Sequence, residues 1–293
     1  MSTVEPRTAA PRTAARSLGG RTGPWTRIRP VVVLLAVVLL VGMPLWIIVV
    51  TAGKTQAEAL DPNLSLPQRW QLWQNFADVW NQAHVPAAFA GSLVIMVPAV
   101  FLVLIFGSMA AWVLARRSSR LTAVAYSLAI SGIVLPPAVV TIVLLLRQLG
   151  LAGTVVGMIG VYVGMYMSTV IFFVTGFVRT IPQELEEAAR VDGAGPLRVF
   201  ATMILPMLVP VLSTATILIC LYIWNDVFYA FFVVGGRVQT LPLNLYNVAS
   251  AGLYLNNWHL IFAYVILMSL PLLLVFVVAQ RKIISGITAG AVK

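Results

Sequence analysis

Residues that build crosslinks and metal sites are scarce in this sequence. Among 293 residues there is one cysteine, Cys220, which cannot form a disulfide within the chain. The two histidines, His84 and His259, are far apart in sequence and do not form a metal-ligand pattern. The sequence therefore predicts neither a disulfide framework nor a bound metal.

Charged residues are scarce as well. They make up 10% of the chain against 60% apolar residues, and the mean hydropathy is +0.95. Such a composition excludes an ordinary water-soluble globular domain. The net charge of +10 could indicate nucleic acid, but no basic patch with interleaved aromatics is present. We therefore predict a lipid bilayer as the surroundings and no nucleic-acid partner.

The sequence also lacks the motifs of an enzyme. No G-x-x-x-x-G-K-[ST] motif occurs, so the chain has no nucleotide site of that kind. Neither a Ser-His-Asp set nor a carboxylate pair has a spacing suited to catalysis. We predict no catalytic residue, no cofactor on this chain and no enzymatic activity of its own.

What the sequence does have is long apolar runs. Six of them are long enough to cross a bilayer as helices. In hydrocarbon every backbone polar group must be satisfied within its segment, and the runs lack the alternation of a β-barrel. We predict an all-α integral membrane protein. Its six transmembrane helices are expected at residues 30–51, 86–114, 121–146, 153–178, 206–234 and 258–280.

The first run decides how the N-terminus is interpreted. It has roughly 20 apolar residues, more than the about 7–15 of a signal-peptide core, so we predict an uncleaved span. Residues 1–24 have no apolar periodicity and are predicted to be a disordered cytoplasmic tail before a folded domain at 25–293. Fifteen of the 19 Lys and Arg residues lie on the same predicted side as the tail, which predicts that both termini are cytoplasmic.

Aromatic residues mark the segment after the first span. Trp70, Trp73, Phe76 and Trp80 have spacings of three, three and four, which fit one face of a helix. Two interpretations stay open: an amphipathic helix that anchors the chain in the membrane interface, or a surface that faces a partner.

The loop between the fourth and fifth predicted spans (residues 180–206) contains helix signals. Thr180 with Gln183 three residues later forms a capping-box pattern, which predicts a helix start. Gly193 follows an aspartate and predicts the helix end, because glycine readily takes the left-handed conformation. A second short helix is predicted at about residues 196–204.

Two roles are open for the surface of this loop. Leu185, Ala188 and Ala189 fall on one side of the first short helix, where small alanines let another protein approach the backbone closely. Packing on the chain's own helix ends is the alternative.

A motif inside the loop favours the first role. Glu-Ala-Ala at 187–189, followed four positions later by Gly193 and then by Leu-Pro, resembles the EAA loop of bacterial ABC-importer permeases. The usual isoleucine is replaced by Met203, which has a similar volume. In that family the loop forms a coupling helix that sits in a cleft of the ATPase subunit. The resemblance implies an ATPase-coupling role for Glu187, Ala188, Ala189, Asp192, Gly193, Leu205 and Pro206.

The resemblance extends from about Asn75 to Lys293 and points to the carbohydrate permeases. Further stretches that carry it are Leu135-Pro136-Pro137, Leu149-Gly150-Leu151, Trp224-Asn225 and the terminal residues 286–293. Together they look like the MalG-like second permease subunit of maltose-type importers. In relatives the tail reaches the ATPase interface, which implies a contact through Gly286 and Gly290; a frayed terminus is the alternative.

Partners and location follow from the same resemblance. It implies a multi-pass subunit of a type I ABC importer in the bacterial cytoplasmic membrane. The implied partners are a second homologous permease, a dimer of ATPase subunits that binds ATP and Mg, an extracytoplasmic solute-binding protein and a sugar substrate.

Candidate substrate residues lie in the fifth predicted span. An ionisable residue in a span is a functional candidate, and a sugar site needs aromatic faces with amides and carboxylates. At about 1.5 Å per residue, Asp226 lies roughly 30 Å along this span from Pro206, toward the outer side. An interfacial anchor or a helix-to-helix hydrogen bond is the alternative. The candidates are Tyr222, Trp224, Asn225, Asp226 and Tyr229; for Tyr162, Tyr166 and Thr141, core packing is the favoured interpretation.

These observations lead to one hypothesis and two rivals. The hypothesis is a permease subunit that, with a second permease, forms the pathway of an ATP-driven importer for a sugar or oligosaccharide. The first rival is the same kind of permease for glycerol phosphate or another small polar solute. The second is a secondary transporter without an ATPase, although ion-coupled carriers usually place several ionisable groups within spans and this chain offers little besides Asp226. Uptake measurements separate all three from a scaffold that does not transport.

Overall fold

The computed structural model describes residues 24–135, 137–250 and 256–291, with the backbone alone at 24–27 and 278–291. The described residues contain helices and no strand, so the predicted all-α fold is confirmed. Four helical segments are long and apolar enough to cross a membrane, and two bent helix pairs raise the number to as many as six. The predicted disordered tail falls almost wholly on residues outside the described ranges.

Fourteen α-helices follow one another in the described residues. They are α1 Pro24–Val37, α2 Met43–Ala52, α3 Leu72–Gln82, α4 Val85–Arg116, α5 Arg120–Val134, α6 Val139–Gln148, α7 Val155–Val178, α8 Glu184–Val191, α9 Pro196–Val199, α10 Leu205–Met207, α11 Val209–Trp224, α12 Phe228–Val234, α13 Leu241–Ser250 and α14 Trp258–Ala291. Two π-helical turns, Val38–Gly42 and Phe200–Ile204, join α1 to α2 and α9 to α10.

The chain divides into two compact units at Trp46. The first unit is helical from Pro24 onward, and most of its valine and leucine side chains are more than half exposed. Such an apolar surface suits hydrocarbon, where no polar groups are needed to cover it.

The core of the second unit forms where α4 and α7 pack along each other. Gly107 in α4 lets the two helices approach closely, because a Cβ at this position would lie 2.7 Å from Cγ1 of Val170 in α7. The contact is flanked by α11, which contributes Ala215 and Ile219, both fully buried.

The third predicted span is broken, which corrects the continuous helix expected at 121–146. Its two halves, α5 and α6, are bent by 113° relative to each other. Leu135, with φ −81° and ψ 120°, is already extended, because the residue before a proline is driven out of the helical region. The tandem prolines at 136 and 137 also remove two backbone donors.

The fifth predicted span is broken twice, so the continuous helix expected at 206–234 is also corrected. The segment that leaves the 180–206 loop bends by 76° at Leu208 into α11. The second break follows Trp224, where α11 ends, and α12 begins at Phe228. Asp226 therefore lies between two helices and not along one.

Three of the four aromatic residues, Trp73, Phe76 and Trp80, lie in α3 as their spacing predicts, whereas Trp70 precedes the helix, which begins at Leu72. The packed side of α3 is not the tryptophan side. Asn75 and Val79 are buried, and Asn75 donates from Nδ2 to the carbonyls of Ala52 and Lys54 at 2.8 and 3.0 Å. Trp73 and Trp80 face outward, 83% and 49% exposed. Both interpretations of this surface, membrane anchor and partner contact, remain compatible with that arrangement.

Candidate functional site

The 180–206 loop is one candidate site. It contains two short helices, as predicted, but α8 begins at Glu184 and α9 ends at Val199, where the π-helical turn Phe200–Ile204 follows. α8 ends where the Gly193 N–H donates to the Arg190 carbonyl at 3.0 Å. Gly193 has φ +79°, and the space where a Cβ would lie is open. Glycine is needed at this position because of the positive φ, and not because a Cβ atom would clash with a neighbour.

The capping box expected at the start of this loop does not form. The Thr180 hydroxyl donates back to the Phe177 carbonyl at 2.8 Å, and no side chain caps α8 at Gln183. The α7 helix thus ends with a hydrogen bond from Thr180, and α8 begins three residues later than a capping box at Thr180 would place it.

A buried ion pair holds the loop against the end of α4. Glu186 is only 2% exposed, and its Oε1 lies 2.7 Å from Nε of Arg116. Its other oxygen accepts a hydrogen bond from the indole N–H of Trp112 at 3.1 Å. Arg116 also donates to the carbonyl of Ile181 at 2.9 Å, so both partners have further hydrogen bonds. Two separate elements are joined by charge-assisted contacts.

Apolar packing reinforces this joint. Val199 at the end of α9, and Phe200 and Ile204 in the π-helical turn that follows, are buried in the core of the second unit. The ring of Phe200 lies 5.7 Å from that of Trp112, centroid to centroid. Both halves of the loop are therefore attached to the rest of the unit, the first by the ion pair and the second by apolar packing. A cavity of about 570 Å³ lies between α4 and the loop, beside the ion pair.

Several apolar side chains of the loop are exposed. Leu185, Ala188 and Val191 follow one another at three-residue spacing on α8, and Val191 is 87% exposed. Leu197 on α9 is 70% exposed. These residues lie outside the long apolar segments, and the charged Glu184, Glu187 and Arg190 are exposed on the same short helix. Of the predicted coupling residues, Glu187, Ala188, Asp192, Gly193 and Pro206 are exposed, whereas Ala189 and Leu205 are half-buried.

Three residues of the joint were not singled out from the sequence. The sequence indicates Arg116 only as one of the basic residues that set the topology and Glu186 only as one of the acidic residues near the start of a helix, and it indicates no role for Trp112. The Arg116–Glu186 pair spans 70 positions, so no local pattern indicates it. The signal that the sequence does contain is the i, i+4 pair of Glu186 with Arg190, which are 3.5 Å apart in the structure.

A second candidate site surrounds the break between α11 and α12. Asp226 accepts hydrogen bonds from the backbone N–H groups of Tyr229 and Ala230 at 3.2 and 3.0 Å, so it caps α12. The hydroxyl of Tyr162 in α7 donates to Oδ2 of Asp226 at 2.8 Å. Tyr162 is eight residues into α7, so the cluster lies roughly 10 Å from the start of that helix.

Stacked rings extend from this carboxylate to the surface. Tyr166 stacks on Tyr162 with centroids 6.1 Å apart, and Tyr222 stacks on Tyr166 at 5.8 Å with a 12° angle between the planes. Tyr222 is 54% exposed, whereas Tyr162 is 1% exposed. The stack therefore runs from a buried, hydrogen-bonded ring to an accessible aromatic face.

Trp224 does not share this surface. Its side chain is 4% exposed, its indole N–H donates to the Met268 carbonyl at 3.2 Å, and its ring packs against Phe89. Asn225 is exposed but uses Nδ2 to bond the Leu221 carbonyl at 2.8 Å. The structure thus brings together Tyr222, Asp226 and Tyr229 of the five predicted substrate residues, with Tyr162 and Tyr166 added.

The last predicted contact lies on α14. Gly286 and Gly290 are within this helix, four residues apart and hence on one face. With 34 residues the helix is about 51 Å long, which exceeds the roughly 30 Å of a hydrocarbon core.

Comparison with known proteins places the chain in a family. Residues 103–288 match the family described as "Binding-protein-dependent transport system inner membrane component". The melibiose/raffinose/stachyose import permease protein MelC of Bacillus subtilis is 37% identical over 75% of this chain and 81% of its own length. The diacetylchitobiose uptake system permease protein NgcG of Streptomyces coelicolor is 31% identical over 88% and 85%.

A solved structure has the same fold. A chain of a bacterial ABC transporter involved in the import of the acidic polysaccharide alginate superposes with a TM-score of 0.75 at 21% identity. The superposition covers 89% of this chain and 97% of that one. Because the family match includes more than half of the chain, this protein belongs to the binding-protein-dependent transport system inner membrane components.

Proposed function

We propose that this chain is one of two permease subunits of an ATP-driven importer and that its 180–206 loop docks on an ATPase. The observation that carries the proposal is a set of exposed apolar side chains, above all Val191 and Leu197, on a loop that is held by a buried ion pair between Glu186 and Arg116. Exposed apolar side chains outside the membrane can be buried by a partner protein. Because the loop is firmly attached to α4, movement of that partner would be transmitted to the membrane helices.

The nucleotide is assigned to the partner. This chain has no phosphate-binding loop, so ATP and Mg would bind to a pair of ATPase subunits. Closure of those subunits would shift the loop and with it α4, which switches the pathway between its inward-facing and outward-facing states. The length of α14 supports a second ATPase contact near Gly286 and Gly290, beyond the membrane.

We assign a sugar or oligosaccharide as the solute. The names of the two relatives reported above include the sugars melibiose, raffinose and stachyose in one case and diacetylchitobiose in the other. The stack that ends at Tyr222 offers the flat aromatic face that sugar rings prefer, and Asp226 lies beside it. A solute-binding protein on the outer side would deliver the sugar, in keeping with the name of the family. Glycerol phosphate or another small polar solute is the alternative cargo.

Docking is tested by a pair of glycine variants. Gly193→Val forces a β-branched residue into φ +79°, whereas Gly195→Val is accommodated because Gly195 has φ −68° and open space around it. We expect the Gly193 variant to lose co-purification of the ATPase and solute uptake while the Gly195 variant keeps both. Val191→Glu changes the docking face without backbone strain and should also lose both. Retention of ATPase and uptake in both the Gly193 and Val191 variants would refute docking.

The sugar site is tested on assembled transporters. Tyr222→Ala removes the accessible end of the stack, and Phe172→Ala removes an exposed ring of α7 outside it. We expect the first variant to raise the KM for sugar uptake roughly tenfold, as loss of one stacking face implies, and the second to leave it unchanged. Equal KM values for the two variants would remove the stack from the substrate path.

A further inference from the structure

A groove between α6 and α12 lies near the start of α7, at the end of that helix opposite the 180–206 loop. It consists of two adjoining cavities of about 310 and 200 Å³. Val143, Arg147 and Phe232 line both cavities, so the two form one continuous depression. Neither the coupling loop nor the aromatic stack takes part in it.

One end of this groove is cationic. Arg147 from the last turn of α6 and Arg237 from the segment after α12 both line the first cavity, and no acidic residue is among its lining residues. Within the described part of the chain, neither arginine has a carboxylate within 4.0 Å. Two guanidinium groups at one cavity repel each other and attract an anion that can accept hydrogen bonds from both.

The backbone is shaped to seat one of these arginines. Gly153 has φ +75°, and a Cβ there would lie 2.7 Å from Cδ of Arg237. Its N–H donates to the Val233 carbonyl at 2.9 Å, which ties this turn to α12. The absence of a side chain at Gly153 thus leaves the space in which the stem of Arg237 lies.

The other end of the groove is apolar. It is lined by Val139, Val140, Leu144 and Phe232, of which Val140 is 74% exposed. Arg147 is eight residues from Val139 along α6, so the apolar part runs roughly 12 Å from the cationic end. No hydrogen-bonding side chain other than Arg147 lines this part, which makes it unsuited to a sugar.

We propose that this groove binds an anionic phospholipid. Its phosphate lies between Arg147 and Arg237 at the membrane surface, and one acyl chain follows α6 against Phe232. A phospholipid is the occupant that fits, because it is the membrane component with an anion at one end and a hydrocarbon chain at the other. In the orientation predicted from the basic residues, with cytoplasmic termini, the groove would open to the outer leaflet.

The test measures lipid binding by the full-length chain purified in detergent. Phosphatidylglycerol and phosphatidylcholine are titrated separately, and bound lipid is counted by native mass spectrometry. We expect phosphatidylglycerol to bind in preference to phosphatidylcholine. Arg147→Gln and Arg237→Gln should each weaken phosphatidylglycerol binding roughly tenfold, since each removes a charge-assisted hydrogen bond.

Arg69→Gln is the matched control, because it removes one exposed cation from the same predicted side but outside the groove. It should bind phosphatidylglycerol as the wild type does. Equal binding of the two lipids, or an equal loss in the Arg69 variant, would overturn the proposal. Inorganic phosphate that displaces phosphatidylglycerol at equal concentration would identify a free-anion site instead. Crosslinks from Leu144→Cys to a second permease in the assembled transporter would show that protein covers the groove.

Discussion

Replacing Glu186 by alanine removes the carboxylate that holds the 180–206 loop against α4. Arg116, only 11% exposed at its side chain, would then be buried without its counter-ion. Removing one member of a buried pair costs about 3–5 kcal/mol. Because Arg116 keeps its hydrogen bond to the Ile181 carbonyl, we expect the lower end, about 3 kcal/mol.

The loss of about 3 kcal/mol reduces the free energy that separates the attached loop from a state in which the loop is detached from α4. At about 1.4 kcal/mol per factor of ten, a loss of about 3 kcal/mol raises the open population roughly 150-fold. Hydrogen exchange of the loop amides, measured on the chain in a lipid nanodisc, reports that population. Protection factors across α8 and α9 should fall by about two orders of magnitude, while those in the middle of α4 stay unchanged.

Glu187→Ala provides the control, since Glu187 is the neighbouring carboxylate but is exposed and outside the ion pair. Its exchange should stay close to that of the wild type. The double variant Glu186→Leu with Arg116→Met replaces the pair by apolar side chains and should recover most of the protection, because such replacements are often neutral. If Glu186→Ala and Glu187→Ala gave the same exchange, the ion pair would not be what holds the loop.

Three further predictions concern other parts of the fold. Gly107→Ala should lower the free energy of unfolding by about 1–3 kcal/mol because its Cβ would overlap α7, whereas Gly160→Ala, in open space, should be neutral; thermal unfolding in detergent compares them. Asp226→Ala should cost about 1–3 kcal/mol because a buried tyrosine hydroxyl loses its acceptor, and Asp226→Asn, which keeps an acceptor, should cost less in the same assay. In the segment between α2 and α3, the pKa of Glu58 is held below its ordinary 4.5, first by the backbone N–H of Thr55. The stabilisation that this carboxylate gives the segment is therefore present above pH 4.5 and is lost as pH falls through the lowered pKa. Glu58→Gln should remove that pH dependence from the hydrogen exchange of the amides in the segment between α2 and α3.

The long helices could be predicted because their determinant is local. An apolar run of about 20 residues leaves the backbone no alternative to a helix in hydrocarbon, and α4, α7 and the start of α14 follow the predicted bounds closely. The end of α8 was predictable for a similar reason, since Gly193 supplies a backbone conformation that other residues avoid.

The breaks in the third and fifth predicted spans were harder to predict, because a proline in a membrane helix can either be tolerated within the helix or end it. Pro98 and Pro271 lie inside α4 and α14 without ending them, whereas the prolines at 136 and 137 separate α5 from α6. Neighbouring groups decide whether the freed backbone atoms are satisfied, and a single sequence does not contain that information.

The candidate sites were harder to predict than the helices, because they depend on side-chain contacts between residues that are far apart in sequence. Composition selected aromatic and acidic residues near Asp226 as candidates, but it could not distinguish Tyr222, which is exposed, from Trp224, which is buried two positions later. That difference arises because α14 lies on one side of α11 and supplies the Met268 carbonyl as a partner. The same limit hid Glu186, whose partners are on a helix 70 positions away.

The attachment of the loop at the extreme end of α4 makes that helix a lever arm. With 32 residues, α4 is about 48 Å long, and Arg116 is its last residue. If the far end is the pivot, each 5 Å displacement of the loop turns the helix by roughly 6°. Because α7 packs closely against α4 at Gly107 and Val170, such a turn would carry α7 with it. If the proposed ATPase moved the loop, a small displacement there would become a shared rotation of two helices, with the smallest movement at the end of α4 far from the loop.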